Sequence, residues 1–342
     1  MTNKEKSFIG LDKIETLSLL KRIGAETFRY EQIQNWIFDN FCENWEEMKN
    51  IPKDLRDKLS EKMQLHPLQI NHVSGSENEP TKKFLFKTIS GHSLESVLMY
   101  EKNRTTVCIS SQIGCAVDCK FCATASMGFI KNLNDYEIID QVLHLERLSK
   151  HKITNIVFMG MGEPFLNYKN VIKAAKFLNH KMGFGARRIT ISTAGIVPKI
   201  RKIADEEHQF KLAISLNAVT EIERKKIMSV TNTYSLNELI DSARYYYQKT
   251  RRLITFEYVL LKGINDSPSD GKKLISLLMG LECKVNIIPY NEIGGDFNRP
   301  DEITIKNFLK ELRKAPFNVT VRWSKGTDIN AGCGQLAVEA IS

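Results

Sequence analysis

Three cysteines fall within eight residues of this 342-residue chain, in Cys115-Ala-Val-Asp-Cys119-Lys-Phe-Cys122. Ligand gaps of three and two residues point to metal ligation, so the fold must present a loop on which three thiols converge. That loop opens with Gln112-Ile113-Gly114 and directly follows residues 105–110, which read as a strand. Three thiolates can hold three irons of a four-iron cube and leave the fourth open to a substrate or cofactor. A structural zinc site wants four closed ligands, and no nearby histidine completes one, since His144 falls in a helical stretch. The other cysteines are Cys42, Cys108, Cys283 and Cys333. An odd total of seven with no export signal argues against a disulfide framework.

The apolar period changes along the chain. The first sixty residues have helical spacing: residues 11–23 ending at Gly24, then 28–38 with basic and aromatic residues mixed, then a third helix opening near Pro52. Residues 74–80 are rich in turn formers and read as a boundary or exposed loop. Residues 84–89 and 94–100, joined through Ser90-Gly91, read as a hairpin. Beyond the cysteines, strands are expected at 153–159, 188–193, 211–216, 253–260, 284–288 and 319–323. Helices are expected between them, at 135–148, 169–178 and 236–248, the last opened by the capping pattern Ser235-Leu236-Asn237-Glu238. Such alternation makes an α/β sheet or barrel. Six or seven repeats are too few to close an eightfold barrel, so a partial barrel is expected.

With 42% hydrophobic and 26% charged residues, the chain reads as a soluble globular protein, with no sign of disorder. There is no apolar run of about 18 residues for a transmembrane helix. Residues 1–6 are polar and lack the apolar core of a signal peptide, so a cytoplasmic location is expected. Lys and Arg outnumber Asp and Glu by 49 to 40, a net charge of +9. That surplus favours a polyanionic partner, nucleic acid before membrane.

The spacing C-x3-C-x2-C after the first strand of an α/β barrel, with Phe121 before the last cysteine, resembles the radical S-adenosylmethionine (SAM) superfamily. Met159-Gly160-Met161-Gly162-Glu163-Pro164 resembles that superfamily's SAM-amino motif, in which glycine admits a ligand to the backbone and Glu163 accepts a hydrogen bond from an ammonium group. Five blocks then stand in the order of the RNA adenine methyltransferases called RlmN. They are Cys108-Ile-Ser-Ser-Gln-Ile-Gly-Cys115, residues 159–167, Ile191-Ser-Thr-Ala-Gly195, Ile287-Ile-Pro-Tyr-Asn291 and Gly326-Thr-Asp-Ile-Asn-Ala-Gly-Cys-Gly-Gln-Leu336. The likeness runs from about residue 28 to residue 336.

This resemblance implies an α/β fold: a partial (β/α)6 radical SAM barrel over 105–342, with a small RNA-contacting helical domain at 1–75 and a β-hairpin extension at 76–104. It implies one [4Fe-4S] cluster on Cys115, Cys119 and Cys122, and two SAM molecules per turnover. Carbon C2 of adenine is neither nucleophilic nor acidic, so simple transfer from a sulfonium cannot methylate it. In the family one SAM methylates a cysteine, which maps to Cys333. A second SAM, cleaved by an electron from the cluster, yields a radical that takes hydrogen from that methyl group. The resulting methylene adds to the base as a covalent adduct. The proton acceptor maps to Glu95, and the resolving thiol that leaves a disulfide maps to Cys108. Gly162, Glu163, Ser192, Ser215, Leu216, Asn217 and Asn291 match SAM-contact positions. The implied partners are 23S rRNA, with tRNA as a further candidate, and an electron donor such as flavodoxin or ferredoxin. The protein is expected to be a monomer that binds no membrane.

Read without the resemblance, Cys108 is a buried strand cysteine, Glu95 a strand carboxylate on a solvated face, and Cys333 a lone thiol in a glycine-flanked flexible tail. Cys42 and Cys283 read as inert core. Arg29, Lys49, Lys53 and Arg56 match the family's RNA-contacting helices, or are a solvated charged face. Two rival functions stand beside C2 methylation. One is methylation at C8, as in the related Cfr enzymes; Glu163-Pro164, Ile288-Pro289-Tyr290-Asn291 and Arg299-Pro300 look more like the C2 enzymes. The other is a non-catalytic iron–sulfur RNA-binding or redox-sensing protein, which would not need both Cys108 and Cys333. The chain departs from the family at Asn217, usually His, and at Ser229-Val230-Thr231, usually Pro-Ile-Asn.

Overall fold

The computed structural model describes residues 7–338; residues 1–6, read above as a polar start, and 339–342 lie outside the described residues. Three amphipathic helices come first: α1 (Lys13–Arg22), α2 (Arg29–Phe38) and α3 (Lys53–Lys62). Asp12 starts α1 by accepting from the Glu15 N–H while Glu15 accepts from the Asp12 N–H, both at 2.8 Å, which satisfies two donors the helix leaves open. Pro52 is the residue before α3 rather than its first helical residue. Leu20, Ile33, Ile37 and Leu59 are fully buried and form the core of this part.

A ten-stranded sheet follows. Strands β1 (Leu68–Ser74), β2 (Thr81–Thr88), β3 (Ser93–Glu101) and β4 (Arg104–Cys108) form an antiparallel meander. Two short strands, β5 (Gln112–Gly114) and β6 (Phe129–Asn132), pair separately and enclose the cysteine loop and the single-turn helix α4 (Ala123–Ser126). The chain then alternates: α5 (Asp135–Leu148), β7 (Asn155–Phe158), α6 (Tyr168–His180), β8 (Ile189–Thr193), α7 (Val197–Asp205) and β9 (Lys211–Ser215). Helices α8 (Glu221–Ile227) and α9 (Leu236–Thr250) lead to β10 (Ile254–Leu260), α10 (Pro268–Leu278), β11 (Cys283–Pro289), α11 (Glu302–Leu312) and β12 (Asn318–Val321). Strands β4 and β7 to β12 pair in parallel in sequence order. Six helical crossovers join these seven strands. No pairing joins β12 back to β4, so the barrel is partial, as the repeat count predicts.

Three details differ from the sequence reading. The sheet begins at Leu68, inside the segment 1–75 assigned to the helical domain. A bulge between Ile70 and His72 breaks the alternation of β1, and much of the strand is exposed, so its period of two is not visible in the sequence. The β5–β6 pair is also absent from that reading, its strands being three and four residues long. The last strand stops at Val321, which leaves Arg322 and Trp323 in the connection that follows.

The helical part is fastened to the barrel by a buried ion pair. His66, just before β1, places Nδ1 2.5 Å from Asp140 Oδ1 on α5 and Nε2 2.9 Å from the Cys42 carbonyl. Both ring nitrogens face acceptors, so both carry hydrogens and the ring is an imidazolium. The Leu68 N–H donates to Asp140 Oδ2 at 3.0 Å, and His144 Nε2 lies 3.4 Å from that oxygen. These three side chains have metal-ligand types, and their ligand atoms lie within 4.8 Å of one another. The 2.5 Å contact, however, is a hydrogen bond, closer than two ligands sit about one ion, which is more than about 3 Å. Burial pulls the His66 pKa down, but the charge and hydrogen bond of Asp140 outweigh it, with the Arg147 cation opposing, and the net shift is upward. Burial pushes Asp140 up, and His66 and His144 more than reverse it.

The sign of the pH dependence follows. A raised histidine pKa contributes stability that is fully present below the ordinary value of about 6.5 and is lost as pH rises through the folded value. Removing one partner of a buried pair costs on the order of 3 kcal/mol. His66→Ala should therefore destabilise the protein by about that much near pH 6 in urea denaturation, and by progressively less as pH rises above that. A difference that stays constant with pH would show that the pair carries no charge.

Candidate active site

Parallel strands bring their C-terminal ends to one edge of the sheet, and ligands bind there in open α/β folds. Ser192 and Thr193 of β8, Ser215 of β9, Glu257 of β10, Ile288 of β11 and Arg322 beyond β12 all border one cavity. Phe158, the last residue of β7, and Met159 just after it border it too, so the sheet curls until its seventh parallel strand nears its second. Arg322 Nη1 lies 3.8 Å from Met159 Sδ.

The β5–β6 pair holds the cysteine loop against this cavity, which Cys115, Cys119 and Cys122 all line. All seven cysteines are free thiols. Burial pushes Cys115 up to about 12 and Cys119 well above its ordinary value, and the neighbouring thiols and Glu163 add to the Cys119 shift. Three buried thiols that would repel one another as thiolates fit a cationic group that offsets their charge. His66, Asp140 and His144 are the one trio among the described residues with ligand atoms all within 4.8 Å, so the three thiols are more widely spread. Thiolates on a single zinc at 2.3 Å would sit about 3.8 Å apart. The donor set therefore suits a polynuclear iron–sulfur cluster better than one ion.

The segment after β7 supplies the opposite wall. Gly162 has φ +92°, and a Cβ there would fall 2.4 Å from the Gln112 Cβ, so only glycine lets this turn close on the cysteine loop. Gln112 accepts the Glu163 N–H at 2.7 Å. The buried Glu163 carboxylate accepts from the Phe165 N–H at 2.8 Å and the Ala194 N–H at 2.6 Å. Burial pushes it up to about 7 despite those bonds, so a ligand ammonium beside it would favour the ionised form.

The C-terminal turn is pinned, not a flexible tail. Asn291 donates to the Cys333 carbonyl at 3.0 Å and to Ser324 Oγ at 2.7 Å. The Ala123 N–H donates to the Gly334 carbonyl at 2.7 Å, and Thr124 Oγ1 to the Leu336 carbonyl at 2.6 Å. A Cβ at residue 332 would lie 2.6 Å from Gln335 Oε1, so a side chain there would push the turn off its support. Cys333 is exposed as a residue, and it borders both the cavity that the three thiols line and a second cavity that Cys108 also lines. Burial pushes Cys108 up to about 12, with a further rise from Cys333. Although the residue as a whole is exposed, its sulfur lines both cavities, and burial there pushes the Cys333 thiol up to about 11 against the pull of Arg322.

Cys115, Cys119, Cys122, Gly162, Glu163, Ser192, Ser215, Asn217 and Cys333 thus share one cavity, and Cys108 joins Cys333 in the next. Three expected site residues line neither. Asn291 holds the Cys333 turn, and Leu216 is fully buried. Glu95 is buried rather than on a solvated face and pairs with Lys83 Nζ at 2.9 Å. The register Val97↔Cys108 puts Glu95 on the same sheet face as Cys108. Arg56 is also turned inward, donating to Glu46 at 2.9 Å, so it is no RNA-contacting cation. Sequence reasoning missed Arg322 and Glu257, which share the cavity. Glu257 Oε2 is buried with no hydrogen-bond partner. Nothing in an ordinary strand glutamate or strand-end arginine announces such a place.

The departures from the family pattern meet at one point. Asn217, at φ +58°, accepts the Val259 N–H at 2.9 Å and turns its amide nitrogen to Met228 Sδ at 3.3 Å. Asparagine tolerates this left-handed conformation better than most residues. Ser229 donates to the Val117 carbonyl at 2.5 Å, between two of the cluster cysteines, and Thr231 accepts from the buried Arg224 at 2.8 Å. Asn217, Ser229 and Thr231 each make a side-chain hydrogen bond, and Val230 is buried.

Residues 109–270 match the radical SAM superfamily, and residues 7–65 match the ribosomal RNA large subunit methyltransferase N-terminal domain. A protein of Thermotoga neapolitana, named a probable dual-specificity RNA methyltransferase RlmN, is 41% identical over 336 residues, 98% of each chain. One of the same name from Clostridium botulinum is 44% identical over 327 residues, 94% of each chain. The crystal structure of a radical SAM methyltransferase from Sphaerobacter thermophilus superposes with a TM-score of 0.92 at 41% identity, over 97% of this chain and 99% of that one. By sequence, by both domains and by fold, this chain belongs to the RlmN family of radical SAM RNA methyltransferases.

Proposed function

We propose that this chain methylates C2 of an adenine in 23S rRNA, and of an adenine in tRNA, by carrying the methyl group on Cys333. The observation that carries this reading is the place of Cys333, on the border between the cluster cavity and the cavity of Cys108. When bound, a [4Fe-4S] cluster supplies an electron, and two SAM molecules per turnover supply a methyl group and a hydrogen-abstracting 5′-deoxyadenosyl radical. Cys115, Cys119 and Cys122 hold the cluster. Glu163 and the Gly162 backbone receive the amino group of SAM, and Ser192, Ser215 and Asn217 line the rest of its bed.

The protein's own groups do the remaining work. Cys333 keeps its one-carbon unit at the border, and the target base approaches from the side that Cys108 lines. After that carbon bonds to C2, the adduct would return its unpaired electron to the oxidised cluster, and Glu95 takes the ring proton. Cys108 then attacks the Cys333 sulfur, and the broken C–S bond leaves its electron pair with the base, which gains a proton to complete the methyl group. A Cys108–Cys333 disulfide remains and must be reduced before the next cycle. The Leu216 carbonyl and Asn291 shape the walls through Arg224 and the Cys333 turn. The enzyme works as a cytoplasmic monomer, with flavodoxin or ferredoxin as electron donor. No described helix is long and apolar enough to cross a membrane.

Protein reconstituted without oxygen should convert an rRNA fragment to one containing 2-methyladenosine, identified by mass spectrometry of its nucleosides. Recovery of 8-methyladenosine alone would instead assign the C8 reaction. Cys333→Ala should keep the iron–sulfur absorbance and lose methylation by on the order of 10³-fold or more, as for other essential nucleophiles; full activity would sink the mechanism. Cys108→Ala should run on gels as a covalent protein–RNA species that nuclease removes. An unshifted, active Cys108→Ala enzyme would rule out its resolving role.

A further inference from the structure

The cavity that Cys108 and Cys333 share has one aromatic side chain in its lining, Trp323. Its neighbour Arg322 borders both cavities, whereas Trp323 borders only this one, and it is 53% exposed. Leaving so large an apolar ring in water forgoes the stabilisation that its burial would give. The ring is nonetheless held, because the Arg299 guanidinium lies 5.1 Å from its centroid, a cation–π distance. Lys325 adds a second cation to the same lining.

An exposed ring packed on one cation, in a cavity lining that also holds Lys325, Glu101 and the thiols Cys108 and Cys333, has the chemistry of a single-strand nucleic-acid contact. Bases stack on aromatic faces, and the cations take the phosphates. A base that reacts at Cys333 must leave its stack to reach the sulfur, and its neighbour then loses a stacking face. Trp323 is exposed where Cys108 is buried, and it can replace that face. We propose that Trp323 is the stacking platform for the nucleobase next to the reacting adenine, with Arg299 seating the ring and pairing, with Lys325, to the adjoining phosphates. The proposal rests on the RNA methylation proposed above and adds a residue that governs substrate affinity.

The test uses the reconstituted holoenzyme, its Trp323→Ala and Trp323→Phe variants, and a short RNA with 2-aminopurine beside the target adenine. Trp323→Ala should raise the RNA KM and the dissociation constant by roughly fivefold or more, and Trp323→Phe should stay within about threefold of wild type because it keeps an aromatic face. Binding to wild type should quench 2-aminopurine fluorescence, and binding to Trp323→Ala should leave it bright. Methylation of Cys333 in the absence of RNA, read by intact-protein mass, should match wild type in both variants, as should cluster absorbance. Wild-type RNA affinity in Trp323→Ala, or equal quenching in both proteins, would overturn the proposal. So would loss of RNA-independent Cys333 methylation in Trp323→Ala, since the ring would then be supporting the cavity rather than the RNA. If wild type methylates neither Cys333 nor RNA, it is the proposed function that fails, and the quenching and binding arms still decide the platform.

Discussion

A hydrogen bond from the Ala123 N–H to the Gly334 carbonyl, 2.7 Å long, joins the cluster loop to the turn that carries Cys333. Thr124 reinforces it through the Leu336 carbonyl, across 212 positions of sequence. Closing so long a loop has an entropy cost that two hydrogen bonds cannot offset alone. The curled sheet bears most of it, because it has already brought the end of β12 beside β7. The contact does something more specific: it sets Cys333 on the border of two cavities rather than inside either. From that position one sulfur can meet a cofactor on one side and a substrate on the other with little movement of its backbone.

The walls of the inner cavity depend on a buried cation. Arg224 donates to the Leu216, Ser215 and Ala194 carbonyls and to Thr231, at 2.6 to 3.1 Å. Carbonyls at the C-terminal ends of parallel strands have no partner in the ladder, and a guanidinium with five donors can gather several. Burial lowers its pKa to about 10, which still leaves it charged at neutral pH. The segment after α8 also grips the cluster loop. Lys120 donates to the Ile227 carbonyl at 3.0 Å, and Ser229 holds the Val117 carbonyl. The loops that would hold SAM and the loop that would hold the cluster are therefore one braced unit. Preorganisation of this kind is what a reaction confined to one geometry needs.

The two thiols outside the cluster are poised by opposing effects. A thiol attacks as its thiolate, and burial holds both Cys108 and Cys333 well above neutral pH. Arg322 lowers both. Sharing one cavity, the pair is placed as the proposed disulfide step requires, while burial holds both resting thiols protonated at neutral pH.

Much of this was legible beforehand. The cysteine spacing, the Gly162-Glu163 turn and the strand–helix alternation are local patterns set by chemistry and by the period of the backbone, so helix 135–148 is found to the residue and the parallel strands to within two or three. The cluster ligands and most of the cavity wall follow from the same local signals. The rest needed folding. Strand β1 hides behind a bulge, and β5 and β6 are too short to show a period. Asn291 and Leu216 sit where a contact with SAM was expected, yet side-chain direction gives one to the Cys333 turn and buries the other. Sequence alone determined which groups can bind metal or bend the backbone, because those are properties of residue types at fixed spacing; the methyl-carrying role proposed for Cys333 came from the family resemblance. Only the tertiary structure decided that Arg322, Glu257 and Trp323 join them and that Cys333 faces both ways. Those outcomes depend on how far the sheet curls and where a turn 200 residues distant is fastened, as the 212-residue span from Thr124 to Leu336 illustrates, and no local pattern encodes either.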